Sequence, residues 1–551
     1  MQFTDNQLLS GKNPNNIFKN FGQGQGDGHG KFCFHLGVLI FAPFFNKLSQ
    51  SGLHYIRQWL AAILLGCQNI EQSKELNYTS MHAMFGKVYK TLRTQRISLK
   101  DAATIENTEK IMQVNAELLG VNQQQDFYYD PHTKHYTGFL KTLSTWCPSV
   151  RLADKGLNMD YIHTTGGQPV YFNTSDNFYD LRERFTGNVE HFRSLYNFNE
   201  EAVLTYIIDR GIYSMDVFEK IIESPNSHII TWEKGYEAIQ WDEDAPCQHG
   251  HIIKTRNHKK DTKLVHYRYQ EKVWHKNERM RQIIVRVYDK NWKVLIEVSI
   301  LTDDKKRDAQ QVIELMLNRW VQENDFKYMI KHFGLNQITS YAFTDYKDLK
   351  TKIEDKVYIC SEHKTLTKEI HKIRNKLKTA LLSKHRFIEK YQEDADKLPE
   401  RLKQRKSRIY KKVDELNEQL LNLEEQRSST TKYVSRIDEL IEQEYVRLDT
   451  NTKNYMDAIK VLARNIFYLT FAPFKENYNN YRDDHVIFRH ITRSAGILES
   501  KNDNINIWLT PQMEYQKKTK EKFNDFLTEI NRKVPEIPDG SGRKIQLFLK
   551  N

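Results

Sequence analysis

Five cysteines in 551 residues, at positions 33, 67, 147, 247 and 360, are too few, too scattered and odd in number for a disulfide framework. They fit reduced thiols in a cytosolic protein. No uninterrupted apolar run approaches the ~20 residues a membrane-spanning helix needs. The longest candidate, 34–45, is broken by His35, Gly37 and Pro43 and reads as a buried helix. Met1-Gln2-Phe3-Thr4-Asp5 lacks a basic stretch leading into an apolar one, so no secretory signal is expected. Nucleotide and hydrolase fingerprints are missing as well. No Gly-x-Ser-x-Gly elbow is present, and no Rossmann glycine pattern follows a strand. Glycines alternate from Gly22 to Gly30, but Phe32 stands where a phosphate loop needs Ser or Thr, and Gln25 where it needs its first glycine. A flexible linker is the better reading. Neither a membrane nor a nucleotide cofactor is expected.

What is abundant is charge. There are 83 Lys and Arg against 71 Asp and Glu, a net +12, in a chain with 29 Tyr and 28 Phe. Such a surplus points to a polyanionic partner without identifying it. The length predicts several domains, and the texture divides the chain at about 33, 125, 345 and 450. Residues 1–33 read as a flexible glycine-rich segment and 34–125 as helical. Residues 126–345 mix strands and helices, with a β-rich insertion over about 234–305, where Ile283, Val285 and Val287 alternate before an Asp289–Trp292 turn. A single long helix is expected from Asp308 to about His332. Within 346–450, Leu402, Ile409, Leu416 and Leu423 recur every seven residues, with Val413 and Leu420 interleaved and Val434, Ile437 and Ile441 resuming the frame. This coiled-coil seam, interrupted near Pro399, suits a dimer arm or two helices folded back on each other. Residues 451–551 are mainly helical, with one strand at 505–509.

Three acids merit joint attention. Asp130 closes a short strand, Phe127–Asp130; Asp209 directly follows the apolar strand ending Ile207-Ile208; Glu323 lies on the expected long helix. A carboxylate at the end of a buried strand is costly unless paired or bound to a cation. Three such groups drawn together make an oxygen-rich site for Mg²⁺. Two ions in such a site activate a water or hydroxyl and stabilise the leaving oxygen of a phosphodiester. The plain alternative is three unrelated surface acids.

The flanking residues favour the first reading. Tyr128-Tyr129-Asp130-Pro131-His132-Thr133-Lys134-His135, Asp209-Arg210-Gly211-Ile212-Tyr213, and Arg319-Trp320-Val321-Gln322-Glu323 resemble, in this order, the DDE transposases of the cut-and-paste insertion-sequence family four branch. The stretch Met159–Val170 and the run Leu181-Arg182-Glu183-Arg184-Phe185 are similar to that group too. The resemblance covers about 126–345. It implies an α/β RNase H-like catalytic core carrying an all-β insertion, flanked by an α-helical N-terminal domain that binds DNA ends and by the coiled-coil and helical C-terminal region. It further implies that Asp130, Asp209 and Glu323 bind two Mg²⁺ ions, with Mn²⁺ able to substitute. Strand cleavage and strand transfer at terminal inverted repeats would then proceed on double-stranded DNA, with a homodimer pairing two ends in the bacterial cytoplasm.

In the family's helix signature, a tyrosine precedes the arginine by three residues and a lysine follows the glutamate by seven. Here Arg319 keeps its place, but Met316 replaces the tyrosine and Ile330 the lysine. Lys327 and Lys331, one and two turns beyond Glu323, supply alternative phosphate contacts. Arg319 and Arg210 are expected at DNA phosphate, although Arg319 with Glu323 is also an ordinary helical ion pair. Trp274 and Trp292 in the insertion are candidates for holding a flipped base, against plain packing. Cys247, His249 and His251 lack the paired spacing of a structural zinc site. The rival readings are a domesticated transposase-derived DNA-binding protein, an RNase H-fold nuclease without strand transfer, and a coiled-coil scaffold.

Overall fold

The computed structural model describes residues 31–550 except 86–87, 149, 176, 178, 180, 225, 238–239, 256–261, 338–341, 347–357, 392–398, 435–443, 479–482, 501–503, 512–514 and 534–543. Of the glycine-rich N-terminal segment only Lys31–Cys33 is described. It is a strand, paired antiparallel with Gly496–Leu498, rather than a linker.

The region before residue 126 is helical, ending in α1 (Ile105–Leu119), which Thr104 caps by accepting from Asn107 N and Gly120 closes at φ 60°. The middle of the chain then builds a sheet. β1 (Asp126–His135) pairs antiparallel with β2 (Leu152–Thr164), and β2 with β3 (Pro169–Ser175). The chain crosses over through α2 (Leu181–Leu195) to β4 (Leu204–Ile208), parallel to β1. It crosses again through α3 (Met215–Glu223) to β5 (Ser227–Trp232), parallel to β4. Every residue of β4 is buried, as expected of a central parallel strand covered on both faces.

The insertion continues the same sheet. It contains β6 (Gln248–Thr255), β7 (Thr262–Val273), β8 (Arg281–Tyr288) and β9 (Val294–Thr302), antiparallel in turn, and β9 joins the edge of β5 through Ile300–Thr302. The lateral order from β2 onward is β2-β1-β4-β5-β9-β8-β7-β6, and β2 also pairs with β3 and, through Leu152–Lys155, with a tenth strand, Ser144–Cys147.

Side-chain alternation on β1 sorts the covering helices. Phe127 and Tyr129 point to α2, with ring centroids 5.0 Å from Phe192 and 4.9 Å from Phe185. Tyr128 and His132 point the other way, to α4 (Ala309–Asn318) and α5 (Trp320–Phe333). The Tyr128 hydroxyl donates to Leu315 O at 3.0 Å, and His132 stacks on Phe326 at 5.1 Å. The single helix expected over 308–332 is thus two, broken at Arg319 by tight three-residue bonds from Arg319 N to Met316 O and from Gln322 N to Arg319 O. Helix α2 runs on past the Leu181–Phe185 run to Leu195, because Val189 and Phe192 extend its apolar face.

Helices α6 (Ser361–Tyr391) and α7 (Glu400–Ser429) fold back on each other. Leu377 and Ala380 pack against Val413 and Leu416, with Ile373 and Leu420 alongside. Val413, Leu416 and Leu420 of the heptad pattern are therefore packed within one chain. The pattern's expected continuation fails at Val434, which lies in a two-residue strand paired with Tyr358–Ile359; Ile437 and Ile441 lie outside the described residues.

The last part centres on α8 (Asn451–Tyr478), buried along most of its length. A small sheet, ordered Lys31–Cys33, Ala495–Ser500, Asn504–Thr510 and Lys544–Leu549, packs beside it. One apolar cluster joins Leu36 and Ile63 near the start, Phe127 and Tyr161 in the sheet, and Leu462 and Leu547 near the end. Among the described residues, no helix is long and apolar enough to cross a membrane.

Candidate active site

Parallel pairing sets Tyr129 of β1 level with Ile208 of β4, so Asp130 and Asp209 are the residues that come next, Asp130 within β1 and Asp209 just past the end of β4. Asp130 is not at a strand end as expected; β1 runs five residues beyond it, still paired with β2. Asp209 does follow its strand directly. It caps the short turn Arg210–Ile212 by accepting from Arg210 N at 2.8 Å, and its side chain is 42% exposed. Glu323, 51% exposed, stands in the first turn of α5, where the helix dipole favours a carboxylate.

Arg319, at the α4–α5 break, ties two of these acids together. Its Nη2 donates to Asp209 Oδ2 at 3.4 Å and to Glu323 Oε1 at 3.3 Å, and it is only 12% exposed. Asp130 feels the same group. Burial foremost pushes its carboxyl up to about 7; Arg319 opposes the shift, while the charges of Glu323, Asp209 and Asp160 add to it. The three acids and Arg319 thus share one electrostatic neighbourhood. Among the described residues, no three His, Cys, Asp or Glu side chains stand close enough to enclose a cation as placed.

Beneath Asp130 lies a polar network that sequence reasoning did not assign. Asp160 on β2 is fully buried and accepts from Arg184 Nε at 2.8 Å and Nη2 at 3.2 Å, and from Asn188 Nδ2 at 3.2 Å. Asn188 also donates to the Tyr129 hydroxyl at 2.9 Å. The signal was an aspartate inside the apolar run Met159–His163, with an arginine at the start of the following helix.

The other expected site residues separate. Arg210 is exposed beside Asp209, and Lys327 and Lys331 are exposed one and two turns along α5 from Glu323. Trp292 is 53% exposed at the β8–β9 turn, stacked on His266 at 5.2 Å. Trp274 is a correction: it is 0% exposed, wedged between Tyr213 and Phe218, with its indole N–H donating to Glu233 Oε1 at 3.0 Å. A side chain so enclosed has no face for a DNA base. Cys247 is a free thiol.

Residues 104–517 match a family model described as "Transposase protein". The chain belongs to this transposase family. No curated protein matches it. Among solved structures it is similar to a piggyBac transposase in a synaptic complex with hairpin DNA, at 8% identity and a TM-score of 0.27, over 54% of this chain and 59% of that one. The chain therefore spans under two thirds of that relative's length.

Proposed function

We propose that this transposase-family protein is a DNA transposase with an RNase H-like DDE core, in which Asp130, Asp209 and Glu323 are the catalytic acids. The observation that carries the reading is the meeting of two aspartates, one on a strand and one directly after the adjacent parallel strand, with a helix glutamate that one arginine joins to Asp209. The β insertion between the second aspartate and the glutamate supports it, since the resemblance of the motifs implies that order.

Three carboxylates are the donor type hard divalent cations take, and one of them, Asp130, has its proton affinity raised by burial foremost and further by the charges of Glu323, Asp209 and Asp160. Mg²⁺ bound there would supply a nucleophile at neutral pH and neutralise charge on the leaving oxygen. The protein's own groups do the rest. Asp130 must lose its carboxyl proton to serve as a ligand, so cation affinity rises with pH up to about 7. Arg319, Arg210, Lys327 and Lys331 present fixed positive charge to phosphates next to the acids, and Trp292 offers an exposed ring to a base. A homodimer would bring two such sites to two transposon ends through a contact other than the α6–α7 seam, which is used within the chain.

The test is incubation of the protein with duplex from the ends flanking its gene, plus Mg²⁺. Nicking that exposes a 3′-OH is expected, and Asp209→Asn should abolish it while leaving end binding within about threefold. An Asp209→Asn protein that nicks at the wild-type rate would refute the assignment.

A further inference from the structure

We infer that the far half of the α6–α7 arm is a docking surface for the sugar-phosphate backbone of duplex DNA, outside the catalytic site. Charge on this arm is polarised along its length. Over residues 384–391 and 399–412 there are ten Lys and Arg against Glu389 and Glu400, a net +8 in a chain whose whole surplus is +12. The connection 392–398 contributes three acids and one lysine to the sequence, which still leaves +6, half of the surplus. Past Lys412 the sign reverses, with Asp414, Glu415 and Glu418 in succession.

Within this band, Arg401, Arg405, Arg408 and Lys412 follow i, i+4, i+7, i+11 spacing and therefore form one stripe along α7. All four are exposed, and none has a carboxylate partner among the described residues. The seam residues Val413 and Leu416 point elsewhere, into the partner helix, so the stripe is not needed to hold the arm together. Two further lysines, one from each helix, crowd a single ring: Lys384 Nζ lies 4.1 Å and Lys406 Nζ 5.6 Å from the Tyr410 centroid. Like charges gathered this way repel one another, a cost that a polyanion lying across them removes. The stripe is roughly 17 Å long, which spans about five base pairs of duplex at one phosphate per ~3.4 Å per strand. It can meet two or three phosphates and reads no base, so the contact is sequence-independent.

The inference rests on the reading of the protein as acting on DNA, and the experiment separates the two. Full-length protein and an Arg401→Gln/Arg405→Gln/Arg408→Gln/Lys412→Gln variant are titrated into a fluorescent 30-base-pair duplex of arbitrary sequence across a salt series. Glutamine keeps helix propensity close to that of arginine and lysine, and circular dichroism checks folding. Two lost phosphate contacts should flatten the slope of log K against log[salt] by about 1.8 and weaken binding roughly 60-fold at 0.1 M salt. The variant should lose the same factor on an unrelated sequence. A slope and affinity within twofold of wild type, in a protein that still nicks its ends with Mg²⁺, would overturn the arm alone. Wild-type protein that binds no duplex would overturn both readings.

Discussion

Arg184→Met should cost this protein about 3–5 kcal/mol, because it strands a buried carboxylate. Asp160 lies in the middle of β2 with no exposed surface, and two of its three donors are nitrogens of Arg184. Each charge-assisted hydrogen bond contributes roughly 1.5–3 kcal/mol, and removing one member of a buried pair typically costs about 3–5 kcal/mol. Methionine fills much of the volume, so cavity formation adds little. Asp160→Asn removes the charge but keeps an acceptor for Arg184, and the guanidinium retains its bond to Tyr179 O at 3.2 Å. That substitution should cost only ~1–3 kcal/mol. The double variant lacks both charges and should be about 2 kcal/mol less destabilised than the sum of the singles, the signature of direct coupling. Calorimetry of the transition containing the core, followed through the double-mutant cycle, measures this. Strict additivity, or a loss below ~1 kcal/mol for Arg184→Met, would show that the network does not hold the sheet beneath Asp130.

Trp274→Ala should destabilise by about 3–5 kcal/mol as a large buried truncation, whereas Trp292→Ala should cost under ~1 kcal/mol; denaturant melts of the two variants check the contrast. His228 Nδ1 lies 2.7 Å from Asp303 Oδ2, and that hydrogen bond foremost raises the histidine above its usual value. A raised folded-state value adds stability that is complete below about pH 6.5 and is lost as pH climbs through the folded-state value, so His228→Gln should flatten the stability profile in that window, by under ~1 kcal/mol given partial exposure. Arg319→Ala removes the charge that opposes the upward shift of Asp130; the acid limb of the nicking profile should move to higher pH, and an unmoved limb would uncouple the two groups. Leu416→Lys should melt the arm, seen as lost helical dichroism, without changing the sedimentation of the free protein, since its seam is intrachain.

How much of this was legible beforehand follows from the range over which each signal acts. β4 announced itself as a mostly apolar run, broken only by the small Thr205, and Asp209 as the residue after it, because a fully covered parallel strand keeps few polar positions inside. The hairpin of β8 and β9 was legible from alternation alone. Asp130 was misplaced at a strand end because Pro131-His132-Thr133-Lys134-His135 looks polar; the strand continues because α5 and α8 cover it, with His132 stacked on Phe326 and Lys134 shielded near Lys453 and Asp457. Tertiary cover of that kind leaves no local trace. The break at Arg319 was hidden for the same reason: Val312, Ile313, Met316, Phe326 and Met329 keep helical spacing through it, and only the three-residue bonds reveal it. Yet that break is what puts the guanidinium between Asp209 and Glu323. The heptad spacing could not name a partner, since Val413 and Leu416 bury equally well against a second copy or against Leu377 of the same chain. Only the sequence of 392–398 separates α6 from α7, and a stretch that short brings two helices together at little entropic cost. Sequence thus specified which residues seek burial, while loop length and the covering helices decided against what.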